Sequence, residues 1–299
     1  MSLFKVVSKS IKMKEKISLS EERWDLIITG KKSLFSLQLN DIWRYRDLLF
    51  MLVRRDFVVL YKQTILGPLW FFIQPIFTAA VYIVVFSNIA GISTDDNPPI
   101  LFYLSGTIIW NYFADCFNQT SNTFVQNANL FGKVYFPRMV VPLSKVIVGL
   151  LKFGIQFLLF IGIYFFFLAK GFSLQPTFTL VYLPLMVIMM GLLGLGLGIF
   201  FTSLTTKYRD LSFLIQFGVQ LLMYATPVIY PLSTVPEKYK ALILLNPLTP
   251  VLEGFRSAFL GTGEFQLSHL ALSFSITIII FLIGLVVFNY TEKDFMDTV

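Results

Sequence analysis

The side chains best suited to chemistry in this sequence are basic groups gathered just ahead of a long apolar stretch. Arg54 and Arg55 are adjacent, and Lys62 follows about two helical turns later. Guanidinium forks match phosphate oxygens, so these groups suit a phosphate-bearing lipid. A plain anchor on anionic lipid is the alternative use. Little else is equipped to catalyse. The one cysteine, Cys116, permits no intrachain disulfide, and with the one histidine, His269, it leaves no metal cluster and no Cys-x-x-Cys pair. His269 opens an apolar run and reads as an interfacial residue. Gly30-Lys31-Lys32 lacks both the earlier glycine and the hydroxyl residue of a phosphate-binding loop. A machine run on nucleotide energy would therefore need another chain to bind it, and no cofactor is expected on this one. Asp115 and Lys152 fall near the inner ends of apolar spans, where snorkelling to the interface is a simpler reading than a buried proton relay.

These groups need a scaffold, and composition says what kind. Of 299 residues, 56% are apolar, 17% aromatic and only 14% charged, where soluble domains carry roughly a quarter charged residues. With a mean hydropathy of +0.73, the chain reads as an all-α membrane protein with several crossings. Residues 1–22 lack the apolar core and small-residue cleavage site of a signal peptide, so the amino terminus is expected in the cytoplasm.

Six transmembrane helices are predicted, at about Leu66 to Ala90, Ile100 to Phe117, Val146 to Leu168, Phe178 to Phe201, Leu211 to Tyr230 and Leu270 to Phe288. Gln74-Pro75 predicts a kink in the first. In the fourth, Gly191, Gly194, Gly196 and Gly198 let a neighbour approach closely, and the Gly194-x-x-x-Gly198 spacing suits packing within one subunit better than dimerisation. Of the 24 basic residues, 13 precede the first span. With six spans, 19 basic side chains fall inside and four outside (Lys170, Lys238, Lys240 and Arg256), which puts both termini in the cytoplasm.

Three segments between spans carry character of their own. Apolar residues at Leu48, Leu49, Leu52, Val53, Phe57 and Leu60 recur at helical spacing among charges, predicting an N-terminal interfacial amphipathic helix over 39–65. The inner connection from Gln119 to Pro142 is polar, then aromatic. A short helix there would present Leu130, Phe131 and Phe136 to something cytoplasmic, or pack them on the protein's own inner ends. Between Tyr230 and Gly263, Pro231, Pro236, Pro247 and Pro250 break two apolar pieces too short to cross, which suits a re-entrant hairpin over 228–262 or a loop lying on the membrane. The organisation is then a basic segment 1–38, the amphipathic helix 39–65, a membrane domain 66–290 and a tail 291–299. Of the many span aromatics, Tyr82, Phe86, Trp110, Tyr112, Phe113 and Phe117 are candidates to stack on sugar rings in a path, although most such groups pack against helices or lipid.

Three pieces in order resemble the permease subunits of type-2 ABC exporters, the branch that moves lipid-linked polysaccharides such as O-antigen, capsule or teichoic acid. They are Arg54-Arg55-Asp56-Phe57 with Tyr61-Lys62-Gln63-Thr64-Ile65-Leu66-Gly67-Pro68-Leu69-Trp70, then Asn129-Leu130-Phe131-Gly132-Lys133-Val134-Tyr135-Phe136-Pro137-Arg138, then Asn246-Pro247-Leu248-Thr249-Pro250-Val251-Leu252-Glu253-Gly254-Phe255-Arg256. The resemblance runs from about Leu39 to the carboxyl end and leaves residues 1–38 unmatched. It implies a homodimer in the bacterial inner membrane, with two copies of a cytoplasmic P-loop ATPase that holds ATP and magnesium. It implies a coupling helix with Asn127, Asn129, Leu130, Phe131, Lys133, Tyr135 and Phe136, and a lateral gate where Arg54, Arg55 and Lys62 meet a lipid pyrophosphate. It also implies an outer-gate hairpin with Pro231, Asn246, Pro247, Pro250, Glu253 and Arg256. The substrate would be a lipid-linked glycan; no nucleic acid and no metal are expected. Rival readings are an exporter of drugs or lipids, a channel or carrier that needs no ATPase, and a membrane scaffold.

Overall fold

The computed structural model describes residues 39–298 apart from residues 132, 135 and 209. The predicted basic segment 1–38 lies outside them, as does Tyr135, and the side chain of Asn129 is likewise outside the description. Among the described residues there is no strand. In chain order the helices are α1 Leu39–Arg44, α2 Arg46–Val59, α3 Trp70–Tyr82, α4 Pro99–Ser121, α5 Thr123–Gln126, α6 Ala128–Phe131, α7 Val140–Ala169, α8 Leu183–Thr205, α9 Leu211–Tyr224, α10 Glu237–Leu245, α11 Thr249–Leu260 and α12 Leu267–Thr298.

Among the described residues, four helical stretches are long and apolar enough to cross a membrane: Gly67–Ile89, Val140–Ala169, Phe178–Thr205 and Leu267–Thr291. Two predicted spans fall outside that set, for different physical reasons. The second corresponds to α4, whose 23 residues are long enough but include Ser105, Thr107, Asn111, Asp115 and Asn118. It is also the most enclosed of the long helices, with 16 residues buried. A helix walled by protein can carry more polar groups than one facing lipid. The fifth corresponds to α9, which is apolar but has only 14 residues, about 21 Å at a 1.5 Å rise per residue, short of the roughly 30 Å hydrocarbon layer.

The core forms where α4, α7, α8 and α12 meet. Gly194 and Gly198 turn toward α4, where a Cβ on Gly194 would stand 2.6 Å from the Cβ of Cys116. The small-residue spacing therefore packs helices inside one subunit. Gly196, on another face of α8, brings α12 so close that a Cβ there would lie 2.8 Å from the Cα of Phe281. Pro75 sits inside α3 as the sequence suggested, and a π-helical stretch, Ile83–Ile89, continues that helix.

A second apolar cluster is formed by Leu49, Leu52 and Val53 of α2 with Phe124, Phe131, Phe136, Leu285 and Phe288. α2 thus packs one face on protein and leaves Phe50, Met51 and Val59 exposed.

Candidate functional site

Arg54 and Lys62 lie on the exposed side of the α2 region. Arg55 turns back to its neighbour Asp56, with Nε donating at 2.8 Å. Asp56 in turn accepts from Lys145 of α7, again at 2.8 Å. About two turns further along α7, Lys152 donates to Asp115 of α4 at 2.5 Å. Asp115 and Lys152 are therefore paired with one another, both side chains partly exposed. A cleft of about 160 Å³ runs past both pairs.

Of the two readings of the connection from Gln119 to Pro142, the fold takes up packing on the protein's own helices. Phe131 and Phe136 are buried, stacked on each other at 5.5 Å between ring centres, and Phe131 meets Phe124 edge-on at 5.6 Å. Phe124 stacks on Phe288 of α12 at 5.0 Å. Leu130 packs against the same cluster, and Asn127 is buried with its amide donating to the Thr123 carbonyl at 3.0 Å. The expectation that Leu130, Phe131 and Phe136 face the cytoplasm is corrected: apolar area goes first to the chain's own core. Val125, Gln126, Lys133 and Val134 are exposed instead.

The aromatic candidates divide in the same way. Trp110, Tyr112, Phe113 and Phe117 are buried in the subunit core, where they act as packing groups and line no open surface of the chain. Tyr112 contacts Phe153 at 5.5 Å and covers the glycine face of α8. Tyr82 and Phe86 remain partly exposed, 5.5 Å apart. The Tyr82 hydroxyl lies 3.7 Å from the sulfur of Met223 on α9.

The segment between α9 and α12 is organised by a buried ion pair. All 12 residues of α11 are buried, including Glu253 and Arg256, whose side chains meet at 3.1 Å. The second arm of the guanidinium donates to the Val228 carbonyl at 2.7 Å, and the first also reaches the Tyr230 carbonyl at 3.3 Å. The guanidinium lies 3.9 Å from the centre of the Phe102 ring, a cation–π placement that gains strength when desolvated. Gly106 leaves room for it, since a Cβ there would stand 2.7 Å from the Val228 oxygen. The other Glu253 oxygen accepts from the Glu264 backbone at 3.2 Å.

Asn246 ties the corner before α11 to the end of α9. Its amide donates to Thr226 at 2.8 Å and its carbonyl oxygen accepts from the Leu248 backbone at 3.1 Å. Pro247 offers its carbonyl to Ser273 of α12 at 2.5 Å. Pro231 is buried where the chain leaves the Arg256 contacts, and Pro250 begins α11, where a missing N–H costs nothing. The structure thus brings Pro231, Asn246, Pro247, Pro250, Glu253 and Arg256 into one connected corner.

Residues 47–260 match the family model described as ABC-2 type transporter. The chain belongs to that family. Among its relatives, an O-antigen export system permease protein (RfbA) of Klebsiella pneumoniae is 29% identical over 84% of this chain and 94% of its own length. A protein of the same name from Myxococcus xanthus is 28% identical over 73% of this chain and 82% of its own. The polysialic acid transport protein KpsM of Escherichia coli is 23% identical over 78% and 89%.

This ABC-2 permease also contains functional candidates that spacing did not reveal. Lys145 pairs with Asp56 across 89 residues of sequence, and no local motif announces that contact. Gln216 and Gln220 are exposed on α9, an otherwise apolar helix that buries only Ile215 and Val219. The signal for them was present as two amides four residues apart within an apolar run, a spacing that puts both on one face.

Proposed function

We propose that this permease is the transmembrane subunit of an ATP-driven exporter that moves lipid-linked polysaccharide, O-antigen-like in kind, across the bacterial inner membrane through a path between two copies of the chain. The observation that carries the reading is the free face of α9, taken with what the relatives are named for. An amide turned to lipid leaves its hydrogen-bonding groups unmet in hydrocarbon, so such groups normally face protein or a water-filled cavity. Gln216 and Gln220 on α9 and Gln74 on α3 are all exposed in the single chain. A second copy placed against this face would enclose them, and a wet path between the copies would give the amides partners. Tyr82 and Phe86 stand beside it to meet passing sugar rings.

In this reading α3, α4, α7, α8, α9 and α12 make six crossings with both termini inside, as the basic residues favour. α9 completes its crossing through the residues that follow it, and α10 with α11 forms the re-entrant hairpin that closes the outer end. α1 and α2 lie at the inner interface, where Arg54, Arg55 and Lys62 receive the lipid pyrophosphate at a lateral gate. Two copies of a separate P-loop ATPase, carrying ATP and magnesium, dock on the exposed strip of Val125, Gln126, Lys133 and Val134. Asn127, Leu130, Phe131 and Phe136 serve as the rigid backing that transmits the push.

The test is to purify the tagged chain in mild detergent, assay the eluate for ATPase, and stain surface glycan in cells lacking the gene. A co-purifying ATPase with loss of surface polysaccharide is expected. An ATPase with normal glycan would favour an exporter of drugs or lipids, and no ATPase would overturn the reading in favour of a channel or carrier.

A further inference from the structure

The cleft beside α7 holds more charge than its position in a membrane protein ordinarily carries, and that charge has a pattern. Lys145 and Lys152 are seven residues apart on α7, so they share one face about 10 Å apart along the axis. Each meets one carboxylate: Lys145 that of Asp56 from α2, Lys152 that of Asp115 from α4. The two pairs differ in how completely they are satisfied. Both oxygens of Asp56 are engaged, one by Arg55 and one by Lys145. Asp115 uses one oxygen on Lys152, and its other oxygen has no partner among the described residues. Asp115 is also the most open of the four, its side chain 38% exposed against 22% for Lys152 and 12% for Lys145.

An ammonium carries three donors, so each lysine keeps donors free for a further acceptor. Along one wall the cleft therefore offers N–H donors at two heights, and on the other a carboxylate oxygen free to accept. Its volume of about 160 Å³ is well above the roughly 10–15 Å³ of probe-occupied space that one water needs. Val59 and Leu60 of α2 form an apolar lip, and both are exposed. Cationic and anionic groups inside with an apolar lip outside match a molecule with a zwitterionic head and an acyl body. A dianionic head is a poorer match, because Asp56 and Asp115 would repel it.

We infer that this cleft is a binding site for a zwitterionic phospholipid with a primary amine, such as phosphatidylethanolamine. The phosphate accepts from Lys145 and Lys152, and the ammonium donates to the free oxygen of Asp115. The site adjoins the proposed gate through Arg55, which holds the cleft residue Asp56, but the lipid's own contacts are Lys145, Lys152 and Asp115, and Arg54 and Lys62 lie on the exposed side of the α2 region. Because Asp56 belongs to α2 and Asp115 to α4, a lipid held here joins α2 to the membrane core.

The experiment is native mass spectrometry of the purified full-length chain, delipidated and titrated with phosphatidylethanolamine, phosphatidylcholine, phosphatidylglycerol or a polyprenyl pyrophosphate. One phosphatidylethanolamine per chain should be retained about tenfold better than phosphatidylcholine, whose methylated amine cannot donate to Asp115, since hydrogen bonds to charged groups are worth at least that much. Asp115→Asn should erase that preference, and Lys152→Gln should lower retention of both lipids. The exchanged pair Asp115→Lys with Lys152→Asp, which keeps the ion pair, checks that folding is intact through its thermal unfolding without lipid. Equal retention of the two zwitterionic lipids by the native chain would overturn the assignment. So would a preference for phosphatidylglycerol, and tighter retention of the pyrophosphate would make the cleft a substrate site instead.

Discussion

Arg256 reaches Glu253 at 3.1 Å across one turn of a helix whose every residue is buried, and its two terminal nitrogens also hold the backbone at Val228 and Tyr230. One side chain thus fastens the chain leaving α9 to α11. Removing one partner of a buried pair leaves the other charge uncompensated, at a cost of about 3–5 kcal/mol. Arg256→Ala should lower the thermal unfolding midpoint sharply and reduce the yield of monodisperse protein. Arg256→Lys should recover little, because a lysine cannot span two carbonyls and a carboxylate while lying flat on Phe102. Midpoints from fluorescence-detected size exclusion would decide it, and a wild-type midpoint for Arg256→Ala would show that the hairpin is held by other means.

Gly196 and Gly162 make opposite predictions for the same substitution. A Cβ on Gly196 would press on the backbone of Phe281, whereas one on Gly162, within α7, has nothing within 4 Å. Gly196→Ala must push α8 and α12 apart, an overpacking cost of about 1–3 kcal/mol. Gly162→Ala should be neutral or stabilising by up to about 1 kcal/mol, from helix propensity alone. Unfolding midpoints of the two variants measured side by side would check this, and an equal loss in both would contradict the close approach of α8 to α12.

Most of the helical framework was legible because membrane spans announce themselves by length and hydropathy. Gly67–Ile89, Val140–Ala169, Phe178–Thr205 and Leu267–Thr291 coincide with predicted stretches. The two short apolar pieces between Tyr230 and Gly263 fall within helices, Glu237–Leu245 and Thr249–Leu260. Side-chain roles were harder to read, because aromatic and apolar residues look alike whether they face lipid, a path or a neighbouring helix. Trp110 and Phe113 are enclosed in the core cluster, whereas Tyr82 only packs against its edge. Phe131 follows a polar run, as a docking residue would, but it packs on Phe136 and Phe124, and Phe124 in turn stacks on Phe288 of the final helix. Lys145 was counted merely as an inner charge, since its pairing with Asp56 depends on how α2 folds back on α7.

That burial of Phe131 separates two substitutions in the inner connection that a docking segment would otherwise treat alike. Phe131→Ala removes a ring from a stacked cluster and should cost about 3–5 kcal/mol of stability. Val134 is 56% exposed, so Val134→Asp should leave the unfolding midpoint unchanged while reducing recovery of ATPase in the pull-down. If both substitutions instead spared the midpoint and lost the partner, Phe131 would have to be outward-facing in the assembled transporter.

The free face of α9 gives the most direct test of the two-copy arrangement. With Cys116 replaced by Ser, single cysteines at Gln216 and Gln220 can be compared with one at Leu158 on α7, which is 68% exposed. All three positions are accessible in one chain, so accessibility alone predicts equal cross-linking. If two copies enclose a shared path along α9, maleimide cross-linkers of graded reach applied to intact membranes should join the α9 positions into covalent dimers and leave the Leu158 variant monomeric. A direct disulfide needs Cα atoms within about 7 Å, so the shortest reagent that succeeds also measures the width of the path. Equal dimer yield at all three positions would mean random collision in the membrane. Dimers at Leu158 alone would place the partner against α7 and leave the α9 glutamines without the wet path proposed for them.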